Sequence, residues 1–167
     1  KSRSRGLGDV YKRQKILLKT CRRHLKVQSN TSKFYIPQLK LNSGETLDDV
    51  EVAYTTNGIL SESGDNAILI FHALTGSHML AGQFTKNDNP GIPWNEELEI
   101  GWWNDFVGPN KIIDTNKYFV VCANYIGGCY GSTGPNSKNP ITEENYNFNF
   151  PPISVSYTHL TLPTMEL

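Results

Sequence analysis

Two continuous apolar runs constrain this chain more than any other feature. Ala67 to Phe71 reads AILIF, and Lys117 to Ala123 reads KYFVVCA. A strand with one face in water alternates apolar and polar residues, whereas a strand covered on both faces, as in a parallel sheet, reads as an unbroken apolar run. Both runs are shorter than an ordinary helix, so each predicts a buried strand. The polar stretch between them contains Gly82, Pro90, Gly91 and Pro93, and only Trp94 to Ile100 and Trp102 to Val107 have the pattern of short helices. A connection this long inside a domain is usually functional or disordered.

Ahead of these runs, Phe34 to Leu41 places Leu39 and Leu41 on one face and contains Pro37, which predicts an edge strand, where a residue lacking an N–H is tolerated. Asn42-Ser43-Gly44-Glu45 reads as a turn, and Val50, Val52 and Tyr54 then alternate with Glu51, Ala53 and Thr55. The pair predicts a hairpin. A hairpin followed by two buried strands is the opening of a mixed α/β sheet. Ligands bind such sheets beyond the carboxyl ends of the strands. Two unusual loops fall there: His72 to Gly76 after the first apolar run, and Gly127 to Pro135 after the second.

The zero net charge hides an asymmetry. Twelve of the 16 Lys and Arg lie in residues 1–40, with Asp9 as the single acid there; from Leu41 onward there are four basic and fifteen acidic residues. An acidic body argues against nucleic acid as a partner, because phosphate contacts need Lys and Arg. No run of eighteen apolar residues is present, so no membrane-spanning helix is expected. Cys21, Cys122 and Cys129 contain no C-x-x-C pair; this is neither a disulfide framework nor a zinc site, no metal is expected, and a reducing compartment fits.

Both ends read as foreign to the domain. Ser4 to Gln14 (SRGLGDVYKRQ) and Val155 to Thr164 (VSYTHLTLPT) can each be encoded by one transposase-adaptor end, in opposite orientations. Residues 1–14 and 155–167 are therefore expected to be adaptor-derived and are set aside before fold reasoning. Residues 15–33 form a basic, acid-free extension, expected to be disordered; a cytoplasmic location is expected, or an organellar one if this lead is a transit peptide. The domain proper is then expected over 34–154.

The chemistry must sit in the two loops. A strand ending in His72-x-x-x-Gly76 leaves backbone N–H groups pointing past the sheet, and His72 is expected to brace that loop by hydrogen bonds rather than to catalyse. His78 reads as a polar loop side chain. The second loop, GGCYGSTGP, is glycine-rich but lacks the Lys of a P-loop, and no G-x-G-x-x-G is present, so nucleotide binding by those motifs is rejected. Cys129 is expected to be a small buried residue, since a reactive thiol needs a cationic setting. Trp102-Trp103 could line a ligand, but such a pair is more often core packing.

SGETLDDVEVAYTTNGIL, NAILIFHALTG and GWWNDFVGPNKIIDTNKYFVVCANYIGGCYGSTGPNSKNP occur in that order over Phe34 to Ser154. Together they resemble the opening of the homoserine O-acetyltransferase family of the α/β-hydrolase superfamily. The resemblance implies the N-terminal part of an α/β-hydrolase mixed sheet. It also implies a two-step acyl transfer from acetyl-CoA, as cosubstrate, through an acyl-serine to L-homoserine, in methionine biosynthesis. In such folds one oxyanion-hole donor comes from the loop that here is His72 to Gly76. The resemblance assigns this role to the backbone N–H of Leu74, with Thr75 and Gly76 as substrate-binding positions. It also implies a homodimer for the whole enzyme.

Departures limit what carries over. No serine here has glycine at both the second position before it and the second after it, so no G-x-S-x-G elbow is present. The resemblance puts the elbow serine, acidic residue and histidine beyond Ser154, so the 167-residue chain itself is expected to be inactive. His78 follows HALTG by two residues where the family often has three, and Gln83 to Ile100 is long and acidic. Three other functions stay open: an esterase or lipase using water as acceptor, a relative using succinyl-CoA or serine, and a non-catalytic binding module.

Overall fold

The computed structural model describes residues 31–73, 75–88 and 94–153. The expected adaptor-derived ends 1–14 and 155–167, residues 15–30 of the basic extension, and Ser154 lie outside the described residues.

Strands β1 (Thr31–Lys40) and β2 (Thr46–Asn57) form the expected antiparallel hairpin, from Thr31↔Thr55 to Lys40↔Thr46. Its turn is closed by Gly44, at φ 91°, whose N–H donates to the Leu41 carbonyl at 3.0 Å. β1 starts three residues earlier than expected. Thr31 to Lys33 belong to the strand and not to a disordered extension, because Thr31 Oγ1 lies 3.0 Å from the buried His78 Nε2 and Lys33 pairs with Glu51. Pro37 sits on this edge strand, where its missing N–H is tolerated.

β2 does not alternate uniformly. Asp49 has φ 53°, and Leu47 and Val50, three residues apart, share one buried cluster. A left-handed residue within a strand shifts the period of two, which is how both side chains reach one side. Beyond that point, Thr55 and Asn57 are buried opposite Cys122 and Val120.

The two apolar runs become β3 (Ala67–Ile70) and β6 (Phe119–Ala123), paired in parallel from Ala67↔Phe119 to Ile70↔Cys122. β6 also pairs antiparallel with β2, giving the order β1-β2-β6-β3. Directly opposed residues share a face of the sheet. Val120 and Cys122 therefore build a cluster with Leu80, Ala81 and Val107, separate from the cluster of Leu41, Leu47, Val50, Ile126 and Tyr146. The expectation of burial on both faces does not hold for AILIF. β3 is an end strand of the described sheet, and Leu69 is 44% exposed because no described residue covers that side.

Between β3 and β6 the chain is irregular. Glu96–Glu99 is one 3-10 turn, capped by the Asn95 side chain, which accepts from Glu97 and Leu98 N–H at 3.0 and 3.1 Å. Trp102 to Val107 is not the expected helix. Its bonds are tight turns, such as Phe106 N–H to Trp103 O at 2.9 Å, leading into a small parallel pair, β4 (Val107–Gly108) and β5 (Ile113–Asp114). Gly101 explains the departure: a Cβ there would lie 2.5 Å from the Ala81 backbone. The chain is pressed against 80–82, with Trp102 and Trp103 N–H donating to Met79 and Leu80 carbonyls at 3.1 and 2.8 Å. Among the described residues no helix is long and apolar enough to cross a membrane.

Candidate functional site

The loop after β3 and the loop after β6 meet at a cavity of about 390 Å³, lined by His72, Gly76, Asn124, Tyr125, Gly128 and Cys129 among others. It lies beyond the carboxyl ends of two parallel strands, where α/β sheets bind ligands.

The first loop is fixed through its carbonyls. Tyr125 Oη donates to the His72 carbonyl at 2.5 Å, and the two rings lie 4.1 Å apart. Trp102 Nε1 donates to the Ser77 carbonyl at 2.8 Å, and Thr55 Oγ1 to the His78 carbonyl at 2.5 Å. Between these pins, Gly76 N–H returns to the Ala73 carbonyl at 2.7 Å. A Cβ on Gly76 would come within 3.1 Å of His72 Cβ, so glycine lets the loop close on its own first residue.

His72 is buried, and its Nδ1 lies 2.8 Å from the Ala73 carbonyl. A carbonyl only accepts, so Nδ1 donates in this contact. The bracing role expected of His72 is thus visible at Nδ1. Nε2 is buried with no partner among the described residues, as is Asn124 Nδ2. Buried polar atoms are rarely left unpaired, and both residues line the same cavity.

The second loop is tied to β2. Ala53 N–H donates to Ser132 Oγ at 3.0 Å, Glu51 N–H to Thr133 Oγ1 at 2.8 Å, and Thr133 N–H to the Glu51 carbonyl at 2.8 Å. The hydroxyls of GGCYGSTGP therefore continue the pairing of β2 where β6 has ended, which accounts for the motif without a phosphate.

Of the residues predicted as functional, Gly76 is at the cavity, Thr75 is exposed next to it, and Leu74 lies outside the described residues. Three expectations about neighbouring side chains are corrected. His78, expected as a polar loop side chain, does lie in the loop but is fully buried there, with Thr31 Oγ1 3.0 Å from its ring. Cys129 is exposed, not buried, because it follows the Gly127–Gly128 turn away from β6. Trp102 and Trp103 remain partly exposed rather than core, since the close approach at Gly101 leaves them on the surface, their rings 5.2 Å apart at a 35° tilt. Tyr125 and Asn124, which sequence reasoning did not single out, carry no signal beyond their place just after an apolar strand.

The electrostatics are those of a neutral pocket. None of the described lining residues carries a carboxylate, ammonium or guanidinium. Burial pushes the Cys122 thiol up to about 12, so this cysteine is an inert core residue. Burial, and then the neighbouring Cys122, raise the Tyr125 phenol above its usual value, keeping it a proton donor at neutral pH.

No protein-family model matches the chain. A homoserine O-acetyltransferase of Citrifermentans bemidjiense is 48% identical over 118 residues, 71% of this chain and 30% of that protein. A homoserine O-acetyltransferase from Bacillus anthracis, of known structure, aligns with 32% identity and a TM-score of 0.64 over 75% of this chain and 33% of its own. An esterase of known structure aligns with 28% identity and a TM-score of 0.67 over 78% of this chain and 35% of its own. The chain spans about 30% of the length of the curated relatives it matches. Its mixed sheet, its two loops and these likenesses agree: the chain belongs to the homoserine O-acetyltransferase family, on the α/β-hydrolase fold.

Proposed function

We propose that the full-length protein transfers acetyl from acetyl-CoA to the hydroxyl of L-homoserine through an acyl-serine. The observation that carries this reading is 48% identity over 118 residues to a homoserine O-acetyltransferase. The pinned loop at the carboxyl end of β3 supports it. A serine attacks the thioester carbonyl, and the CoA thiol leaves with the serine's proton, relayed by a histidine; homoserine's hydroxyl then attacks the acyl ester and regenerates the serine. Each step passes through an oxyanion that needs preorganised donors.

The Leu74 backbone N–H is one such donor, a role that replacing this amide by an ester isolates. Thr75 and Gly76 border the acyl group at the cavity; Gly76→Ala should raise KM for acetyl-CoA if so, and an unchanged KM removes that assignment. The enzyme is cytoplasmic and homodimeric on the same reading, which fractionation and sedimentation check.

The test is the full-length protein with acetyl-CoA and L-homoserine. O-acetylhomoserine with parallel release of free CoA is expected. Free acetate without homoserine-dependent product would instead select the esterase reading, which the likeness to an esterase at a TM-score of 0.67 favours. A product made from succinyl-CoA, or on L-serine, would redirect donor or acceptor within the same mechanism.

A further inference from the structure

We infer that Tyr125 is a positioning residue for the acyl-transfer step, acting through the carbonyl of His72. The inference rests on the proposed oxyanion role of the loop after β3.

The first residue of that loop is gripped twice by Tyr125: its hydroxyl donates to the His72 carbonyl at 2.5 Å, and its ring lies 4.1 Å from the imidazole at a 39° tilt. His72 in turn lies 2.8 Å, through Nδ1, from the Ala73 carbonyl, which also receives the Gly76 N–H at 2.7 Å. A single chain of contacts therefore runs from the end of β6, through Tyr125 and His72, to the turn at 73–76. The other two pins, from Trp102 and Thr55, act at Ser77 and His78, beyond that turn. Among the described side-chain bonds to carbonyls of 72–78, those on the β3 side come from Tyr125 and from His72 itself, and of these Tyr125 is the one that reaches the loop from another element.

The phenol suits a holding role. Burial raises its pKa, so it stays a donor across the neutral range. Oxyanion stabilisation depends on donors fixed before charge develops, and small displacements are costly. Without the hydroxyl the loop keeps its pins at 77 and 78 but its entry from β3 is free to shift. Acylation should slow while ground-state substrate affinity changes little, because the oxyanion donor acts mainly in the transition state.

The experiment compares full-length parent and Tyr125→Phe in two assays: the acylation burst with p-nitrophenyl acetate, and steady-state transfer from acetyl-CoA to homoserine. The burst needs neither CoA nor homoserine, so it reads the oxyanion step whichever acceptor is natural. Tyr125→Phe is expected to slow the burst and lower kcat by about tenfold, with KM for both substrates and the thermal midpoint unchanged. Equal burst rates overturn the inference. A fall in rate that tracks a fall in thermal midpoint, or a variant that does not fold, also overturns it, since the hydroxyl would then serve the fold. A parent that shows the burst but no transfer to homoserine overturns the acetyltransferase reading and leaves Tyr125 to be judged on the burst alone. A parent with neither activity overturns both.

Discussion

The loop after β3 is held from outside by side-chain donors, whereas the loop after β6 holds itself to β2 with side-chain acceptors, supported by one backbone donor, Thr133 N–H. In the first, Tyr125, Trp102 and Thr55 donate to the carbonyls of His72, Ser77 and His78. In the second, Ser132 and Thr133 hydroxyls accept from the backbone N–H groups of Ala53 and Glu51. The direction of donation matters. A carbonyl has two lone pairs and tolerates a lost partner better than a buried N–H does. Pinning a loop by its carbonyls does not itself use its N–H groups, which is the arrangement an oxyanion site requires, although Gly76 N–H is spent on the Ala73 carbonyl. On the proposed reading the first loop presents donors, whereas the second completes a sheet. Substitutions in the first should show in rate, and those in the second in stability.

The largest effect should come from the N–H that the first loop is proposed to present. Replacing the Leu74 amide by an ester in the full-length enzyme deletes that donor alone, whereas Leu74→Ala keeps it. The ester should lower kcat by roughly a hundred- to a thousandfold with little change in KM, as losing one oxyanion donor does elsewhere. Leu74→Ala should lose far less. An ester variant that turns over like the parent would erase the functional side of the contrast.

Ser132→Ala tests the structural side. Ala53 is fully buried, and its N–H loses its acceptor when the hydroxyl goes. A buried donor left unsatisfied costs about 1–3 kcal/mol. The denaturation midpoint should fall accordingly, while kcat per folded molecule stays at the parent value. A rate defect without a stability defect would mean that the second loop also takes part in the chemistry.

Periodicity made the frame of the molecule legible before any coordinates. The hairpin and both apolar strands lie where alternation and its absence put them, although none of Ala67–Ile70 is buried among the described residues. The phase shift at Asp49 was not readable, since an aspartate at φ 53° looks like any polar strand residue. The Trp102 turns were missed for a related reason: the helical pattern of 102–107 is overridden by Gly101, whose absent Cβ allows a contact distant in sequence. At the site, the loops were legible from glycine content and position after a strand. The pins were not, because Tyr125 and Thr55 acquire their partners only when the sheet forms. Cys129 and His78 fail in opposite directions, one exposed and one buried, as composition says little about which side of a turn faces the core.

Trp102→Phe should give the smallest effect and discriminates best between the two modes of holding. Phenylalanine keeps an aromatic ring beside Trp103 but has no Nε1–H for the Ser77 carbonyl. That carbonyl keeps a weak donor, the Cys122 thiol at 3.8 Å, and Trp102 is already partly exposed. The stability loss should therefore be about 0.5–1.5 kcal/mol, the net worth of an ordinary hydrogen bond, and below that of Ser132→Ala measured alongside. The rate should nonetheless drop about twofold to threefold, because this pin steadies the far side of the turn. Parallel denaturation and burst kinetics on the two variants check the pair. If Trp102→Phe costs more stability than Ser132→Ala and leaves the burst untouched, donation to carbonyls is a device of the fold here, and the functional distinction between the two loops fails.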